Sequence, residues 1–401
     1  MKISPLNNQY FKGHAAGRIK ALYMQNPGKQ SQLTIYNQMR EIGKTEGFDV
    51  FMHNGDSLLS KPLNKDDIKI NSWGVWSQDN KIITKQDSKT LLLTSKAQGE
   101  KEFQEASLFA ANRKINGYDA EIVFDGGNMF LGKRPNGENY LLTTPWTLYL
   151  TGAYHYLKDK NVDNFDRYTF LKFNHEGYCH DKDGNVMADS EEYSGRAAYW
   201  KQYAKDVICQ VFDLKQKNLI ILPEMEEHLD LVIRPLNYPY VLVNSDDKID
   251  DLFYEAGEKF EDDFFTLYMA ISENKNRVLD ARKHYSSTKE MVKALKQHGF
   301  KPIELPMSYA RGAVNFANAI VHNTPEGLVY ITNSAKPGIK LNEFMQDEFE
   351  KQLLALCPQI KKVYYVSGEP FGEDLNDIMI YLKEYHGGIH CLCCEEMEDY
   401  C

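Results

Sequence analysis

The chain has 401 residues, 42% of them apolar, which is enough to bury one large core or two ordinary ones and excludes a disordered or fibrous chain. Its 47 Lys and Arg stand against 57 Asp and Glu, a formal charge of −10, so the average surface repels a phosphate backbone and no nucleic-acid partner is expected. The opening stretch MKISPLNNQYFKGHAAG has no apolar h-region, and no window approaches the roughly 18 consecutive apolar residues of a membrane helix, so the expectation is a cytoplasmic chain without a membrane partner, non-classical export being left open.

Along the chain one event recurs five times: a helix-like stretch closes and a short run rich in Val, Ile, Leu and Phe follows. The expected helices lie at about 33–46, 99–114, 197–214, 288–298 and 343–356. The runs after them are FDVFMH from Phe48, YDAEIVF from Tyr118, NLIILP from Asn218, KPIELP from Lys301 and KKVYYV from Lys361. The fourth helix is the best marked, with Ser287 and Glu290 spaced as a capping box and Gly299 as its stop. Further strand-like segments, TLLLTS, NYLLTT, YVLVNS and GLVYIT, fall between these units. The unequal intervals describe a structural repeat, and a five-unit α/β ring fits it.

The longest interval holds residues 150–196, read as an insertion with its own hairpin turned at Asp183-Gly184. The DKDG in it does not make a calcium loop. With Gly184 as the invariant glycine, Cys179 and Ser190 occupy places that need charged oxygen ligands.

Seven cysteines are an odd number, and Cys179, Cys209 and Cys357 sit alone, so the thiols are taken as reduced. The other four crowd into EYHGGIHCLCCEEMEDYC at residues 384–401. Structural zinc needs a second pair of ligands held at a distance, and a redox C-x-x-C needs a helix N-terminus after a strand; neither fits this segment well. Packing in a terminal strand accounts for Cys393 or Cys394. It leaves Gly387-Gly388 unexplained. Two glycines permit a close backbone approach, which makes Cys391 the candidate reactive thiol. The glutamates that follow read as a solvated acidic tail.

A thiol with an ordinary pKa of about 8.5 needs a base or a cation nearby. His228 in PEMEEHLDLVIRPL is one candidate base, and Asp230, two residues on, shares its face if the segment is a strand. Asp125 in IVFDGGNMF and Asp79 in SWGVWSQDNKII are candidate carboxylates beside turns.

The ordered set DGGN, NYLLTT, H-x-D, LPMSYARGAVNFANAIV and GGIHC resembles the guanidine-modifying (pentein) superfamily, closest to agmatine deiminases and bacterial peptidylarginine deiminases. The resemblance covers roughly 20–395 apart from the insertion. It implies a single catalytic α/β domain over 1–401, a pentein-type propeller of five units around a central site. Cys391 would be the nucleophile on the guanidinium carbon, His228 the acid/base and Asp125 its orienting group. Asp230 and Asp79 would hold the guanidinium, with Gly388 and Asn128 also lining the substrate site; no metal or cofactor is implied. The expected partner is a guanidinium-bearing small molecule or the arginine side chain of a peptide.

Departures from the family keep alternatives open. Asp125 stands where deiminases usually carry Glu, and both it and the HCLCC run look like amidinotransferases. Asp56 in HNGDSLL rivals Asp79, the tryptophans before Asp79 favouring the latter. Hydrolysis of an arginine-like guanidinium to a ureido group and ammonia is the expected reaction; amidino transfer to an amine is the alternative, and non-catalytic binding of guanidine or arginine peptide a third. Free or peptidyl substrate, the role of the insertion and the oligomeric state are not set by the sequence.

Overall fold

A single β–β–α–β plan is repeated five times among the described residues of the computed structural model, which are 16–26, 30–54, 68–69, 81–86, 89–98, 100–123, 126–159, 190–225, 228–260, 272, 286–309, 314–335, 340–366 and 388–398. Strand β1 (Ile19–Asn26) leads through helix α1 (Gln30–Glu46) to β2 (Asp49–Asn54), parallel to it, with a short β3 (Ile68–Lys69) beyond. The second repeat has the hairpin β4 (Ile82–Gln86) and β5 (Lys89–Thr94), helix α2 (Glu100–Arg113) and the parallel return β6 (Asn116–Asp119). The third is β7 (Met129–Lys133), β8 (Asn139–Thr143), α3 (Pro145–Asp159), α4 (Ser190–Val211) and β9 (Leu219–Ile221).

The fourth repeat holds β10 (Ile233–Pro235), β11 (Tyr240–Asn244), α5 (Asp246–Lys259), α6 (Thr288–Gln297) and β12 (Lys301–Leu305). A small hairpin, β13 (Ser308–Tyr309) with β14 (Val314–Asn315), precedes the fifth: β15 (Ile320–Thr324), β16 (Gly327–Asn333), α7 (Lys340–Leu356) and β17 (Ile360–Val366). Strand β18 (Cys393–Met397) then pairs antiparallel with β1 and completes the first repeat from the far end of the sequence.

The sequence dictates this plan simply. The middle strand of a sheet meets apolar neighbours on both faces and so reads as a continuous run: Tyr140 to Thr143, Val241 to Asn244 and Leu328 to Asn333 are all buried. A parallel return then requires a crossover, which the helices supply. Helix α7 shows why they stay on the sheet: Leu341, Met345, Phe349 and Leu353, four residues apart, form its buried stripe. Helix α6 carries the anticipated capping box, Glu290 N donating to Ser287 Oγ at 3.4 Å and Ser287 N donating to Glu290 Oε2 at 2.8 Å. Gly299 follows at φ +83°, a conformation glycine adopts without strain.

The chain divides into two compact units: Asp79–Ile221 with Met1–Lys12, and Gly13–Gln78 with Leu222–Cys401. Each has its own core, the first around Leu93, Leu141, Ile208 and Phe212, the second around Met39, Leu242, Phe316, Ile331 and Phe349. Among the described residues no helix is long and apolar enough to cross a membrane.

Three expectations are corrected. The run from Tyr118 is strand only to Asp119, because Asp119 Oδ1 accepts from Lys96 N and Glu121 N and the chain turns at Glu121, φ +55°. The interval 150–196 does not begin as an insertion: α3 continues to Asp159, with Ala153, Tyr156 and Leu157 buried beside Trp200 of α4. Its Asp183-Gly184 turn lies outside the described residues. The glutamates after the cysteines are not a solvated tail either; Glu395 and Glu396 are 4% and 3% exposed on β18.

Candidate active site

All the described polar chemistry of the GGIHC segment lies in the larger unit. Gly388 caps a helical turn, Ile389–Leu392, closed by Leu392 N donating to Gly388 O at 3.1 Å. The whole turn is buried, so its N–H groups must find partners inside the protein. Two asparagines provide them, and a third holds their loop. Asn333, the last residue of β16, accepts from Ile389 N at 3.0 Å. Asn318 Oδ1 accepts from His390 N at 2.9 Å and from Cys391 N at 3.3 Å. Asn315 folds the preceding loop by accepting from Ala317 N and Asn318 N, both at 2.9 Å.

Glycine at 388 is required by space rather than by backbone conformation. Its φ of −159° is extended and open to any residue. A Cβ there would lie 2.5 Å from Asn318 Oδ1 and 2.6 Å from Asn333 Nδ2. The glycine pair was expected to let a ligand come close to the main chain; at Gly388 the space is taken by two amide side chains of the protein, and Gly387 is outside the described residues.

The H-x-D segment does not form the strand on which its shared face was argued. His228 is extended, and Leu229–Leu231 is a 3₁₀ turn, with Leu231 N donating to His228 O and Val232 N to Leu229 O. Asn315 Nδ2 donates to Leu231 O at 3.2 Å and ties this turn to the asparagine loop. The result is convergence: a ring nitrogen of His228, a carboxylate oxygen of Asp230 and Cys391 Sγ all lie within 4.8 Å of one another. His228 is half-buried, whereas Asp230 and Cys391 are buried.

Asp230 Oδ2 is the acceptor at the centre. His390 Nδ1 meets it at 2.8 Å and the Cys391 thiol donates to it at 3.1 Å. On its other side Sγ accepts from Asn318 Nδ2 at 3.0 Å. A buried carboxylate of this kind is stable only when hydrogen-bonded, and Asp230 has these donors. Behind it the wholly buried Arg234 lies 3.6 Å from Glu395 of β18. Burial, only partly offset by Arg234, pushes the Glu395 carboxyl up to about 7.

Cys393 and Cys394, which shared the opening cluster, sit on β18 and do not join the His228–Asp230–Cys391 group. Burial pushes the Cys393 thiol well above its ordinary value, aided by Glu395 and Cys394. Asn128, in the 3₁₀ turn Gly126–Asn128 before β7, is fully buried in the smaller unit. Asp79, Asp56 and Asp125 lie outside the described residues.

The asparagines and Arg234 were not singled out from sequence. A usable signal existed in NFANAIV: two amides three residues apart amid Phe316, Ala317, Ala319 and Ile320, all fully buried, must be satisfied internally. His390, too, was only a letter within GGIHC.

No protein-family model and no curated protein matches this sequence. Solved structures match its fold. The agmatine deiminase of C. jejuni aligns over 98% of this chain and 100% of its own, with a TM-score of 0.55 and 15% identity. An arginine deiminase-like protein of Porphyromonas gingivalis aligns over 97% of this chain and 98% of its own, with a TM-score of 0.55 and 13% identity. The chain has the α/β fold of these two proteins.

Proposed function

We propose that this protein is a thiol-dependent hydrolase of guanidino groups, acting on an arginine-like substrate such as agmatine, arginine or a peptidyl arginine. The observation that carries the reading is the convergence of His228, Asp230 and Cys391 within 4.8 Å. The fold shared with deiminases supports it, and the five-unit propeller arrangement belongs to the same reading. Asp125 and Asp79, with Asp56 as rival, keep the roles implied by the sequence resemblance.

A planar cation with paired N–H donors is best held by carboxylates, which suits Asp230. In the free protein, ionising Cys391 would place a thiolate 3.1 Å from that carboxylate. Like charges so close disfavour the step; a guanidinium bound to Asp230 removes the penalty. The thiol proton then passes to His228, the Sγ thiolate bonds to the guanidinium carbon, and the C–N bond to a terminal nitrogen breaks as His228 delivers that proton to it, releasing ammonia. His228 next takes a proton from water, whose oxygen adds to the S-linked carbon. The C–S bond breaks, leaving the ureido product and the thiol. A covalent intermediate divides one difficult displacement into two easier ones.

The test is product balance. Purified protein incubated with agmatine, arginine or an arginine peptide should release ammonia and ureido product one for one, with no added amine, and Cys391→Ala should release neither. Turnover that needs an amine acceptor and yields no ammonia would establish transfer instead. Tight guanidine binding without product would leave the non-catalytic reading.

A further inference from the structure

The amide of Asn318 has no choice of orientation. Its oxygen receives two backbone N–H groups, from His390 at 2.9 Å and Cys391 at 3.3 Å. Flipping the amide would press an NH2 against both donors, so those contacts assign the atoms. Its nitrogen is thereby aimed at Cys391 Sγ, 3.0 Å away. Asn318 itself is held in place, its N–H bound by Asn315 Oδ1 at 2.9 Å and its carbonyl receiving Asn333 Nδ2 at 3.4 Å. It is fully buried, so water does not compete for the contact.

We infer that Asn318 is a catalytic residue that stabilises the thiolate of Cys391 through its Nδ2–H. An N–H donor favours the charged form of its acceptor. Sγ therefore sits between opposed influences: Asp230 Oδ2 accepts the thiol proton and opposes ionisation, while Asn318 supports it. Among the described residues, titratable groups close to this pair include His228 and His390, and Arg234 interacts electrostatically with Asp230. The asparagine supplies its N–H without a charge of its own, so it adds no repulsion towards a cationic substrate held by Asp230. This inference rests on Cys391 being the nucleophile.

The experiment reads the thiol directly, without substrate: the pH dependence of Cys391 alkylation by iodoacetamide, followed by peptide mass spectrometry. Asn318→Asp keeps an oxygen for the two backbone N–H groups and loses the donor once ionised. Its alkylation midpoint should rise by about one to two pH units relative to the wild type, the size expected for a hydrogen bond to a charged group. Asn318→Ala should rise as well. Asn333→Ala is the comparison variant, because Asn333 supports the same turn at Ile389 N and braces Asn318 without itself donating to the sulfur; it should lower thermal stability and move the midpoint clearly less than Asn318→Ala does. If Asn318→Asp does not fold, the Asn318→Ala and Asn333→Ala pair decides the matter. An unchanged midpoint at Asn318→Asp, or equal shifts in the two alanine variants, would overturn the inference. Because no substrate enters the assay, a protein inactive on every guanidine can still show the Asn318 shift, so loss of the proposed function and loss of this inference are told apart.

Discussion

The turn Ile389–Leu392 and strand β18 follow one another without a gap and are equally buried, yet their cysteines live in different chemistry. Cys391 is 3% exposed and Cys393 0%, so burial does not distinguish them. What differs is the company. The turn has no strand partner, the N–H groups of Ile389, His390 and Cys391 are taken by asparagine side chains, and its sulfur meets an amide and a carboxylate. The strand satisfies its backbone against β1, and Cys393 packs into the apolar core of the larger unit. A thiol becomes chemically useful when the fold forces polar groups upon it, and here that force comes from a backbone that lacks its own ladder.

The largest effect should come from disturbing the turn at its cap. Gly388→Ala places a Cβ against both Asn318 and Asn333. Displacing these amides should cost about 1–3 kcal/mol of stability, as overpacking does, and misplacing the thiol by about 1 Å should lower kcat about 10²-fold. Denaturant midpoints and steady-state rates measure the two separately. A variant with normal kinetics would mean that the asparagines do not position Cys391.

The strand should answer differently. Cys393→Ser buries a hydroxyl in the apolar core and should cost about 1–3 kcal/mol, with turnover largely retained by the folded fraction. Loss of turnover without loss of stability would erase the distinction between the two stretches.

The smallest effect concerns pH. Glu395, ordinary value 4.5, is raised to about 7 in the folded chain. Between these values the folded state holds a proton that the unfolded state has released, so stability falls as pH rises through the window. Glu395→Gln removes this contribution, and its melting temperature should depend less steeply on pH than that of the wild type between about 4.5 and 7. A wild-type profile no steeper than the variant's would place the charged, not the neutral, carboxyl on β18.

Local rules carried much of the fold. Apolar runs after helices marked β2, β9, β12 and β17, and the Ser287–Glu290 pair marked a helix start, because these depend on neighbours in sequence. Glu395 and Glu396 were misread for the opposite reason: an acidic run is normally solvated, and only distant partners, Arg234 for one and Lys20 and Tyr23 for the other, allow it inside. His228 and Asp230 were found through motif order while the strand geometry proposed for them was wrong. The asparagines were missed because an amide's role is set by which backbone it meets, here 73 residues away between Asn318 and Cys391.

The pairing of β1 with β18 also bears on the order in which this protein can fold. Tyr23 and Glu396, hydrogen-bonded across that pair, are 373 positions apart in sequence. A contact of such separation carries a large loop-closure cost and forms slowly. During synthesis β1 emerges long before β18, and the turn bearing Cys391 immediately precedes β18. The turn bearing Cys391 is thus followed directly by a strand whose pairing is a late, non-local step.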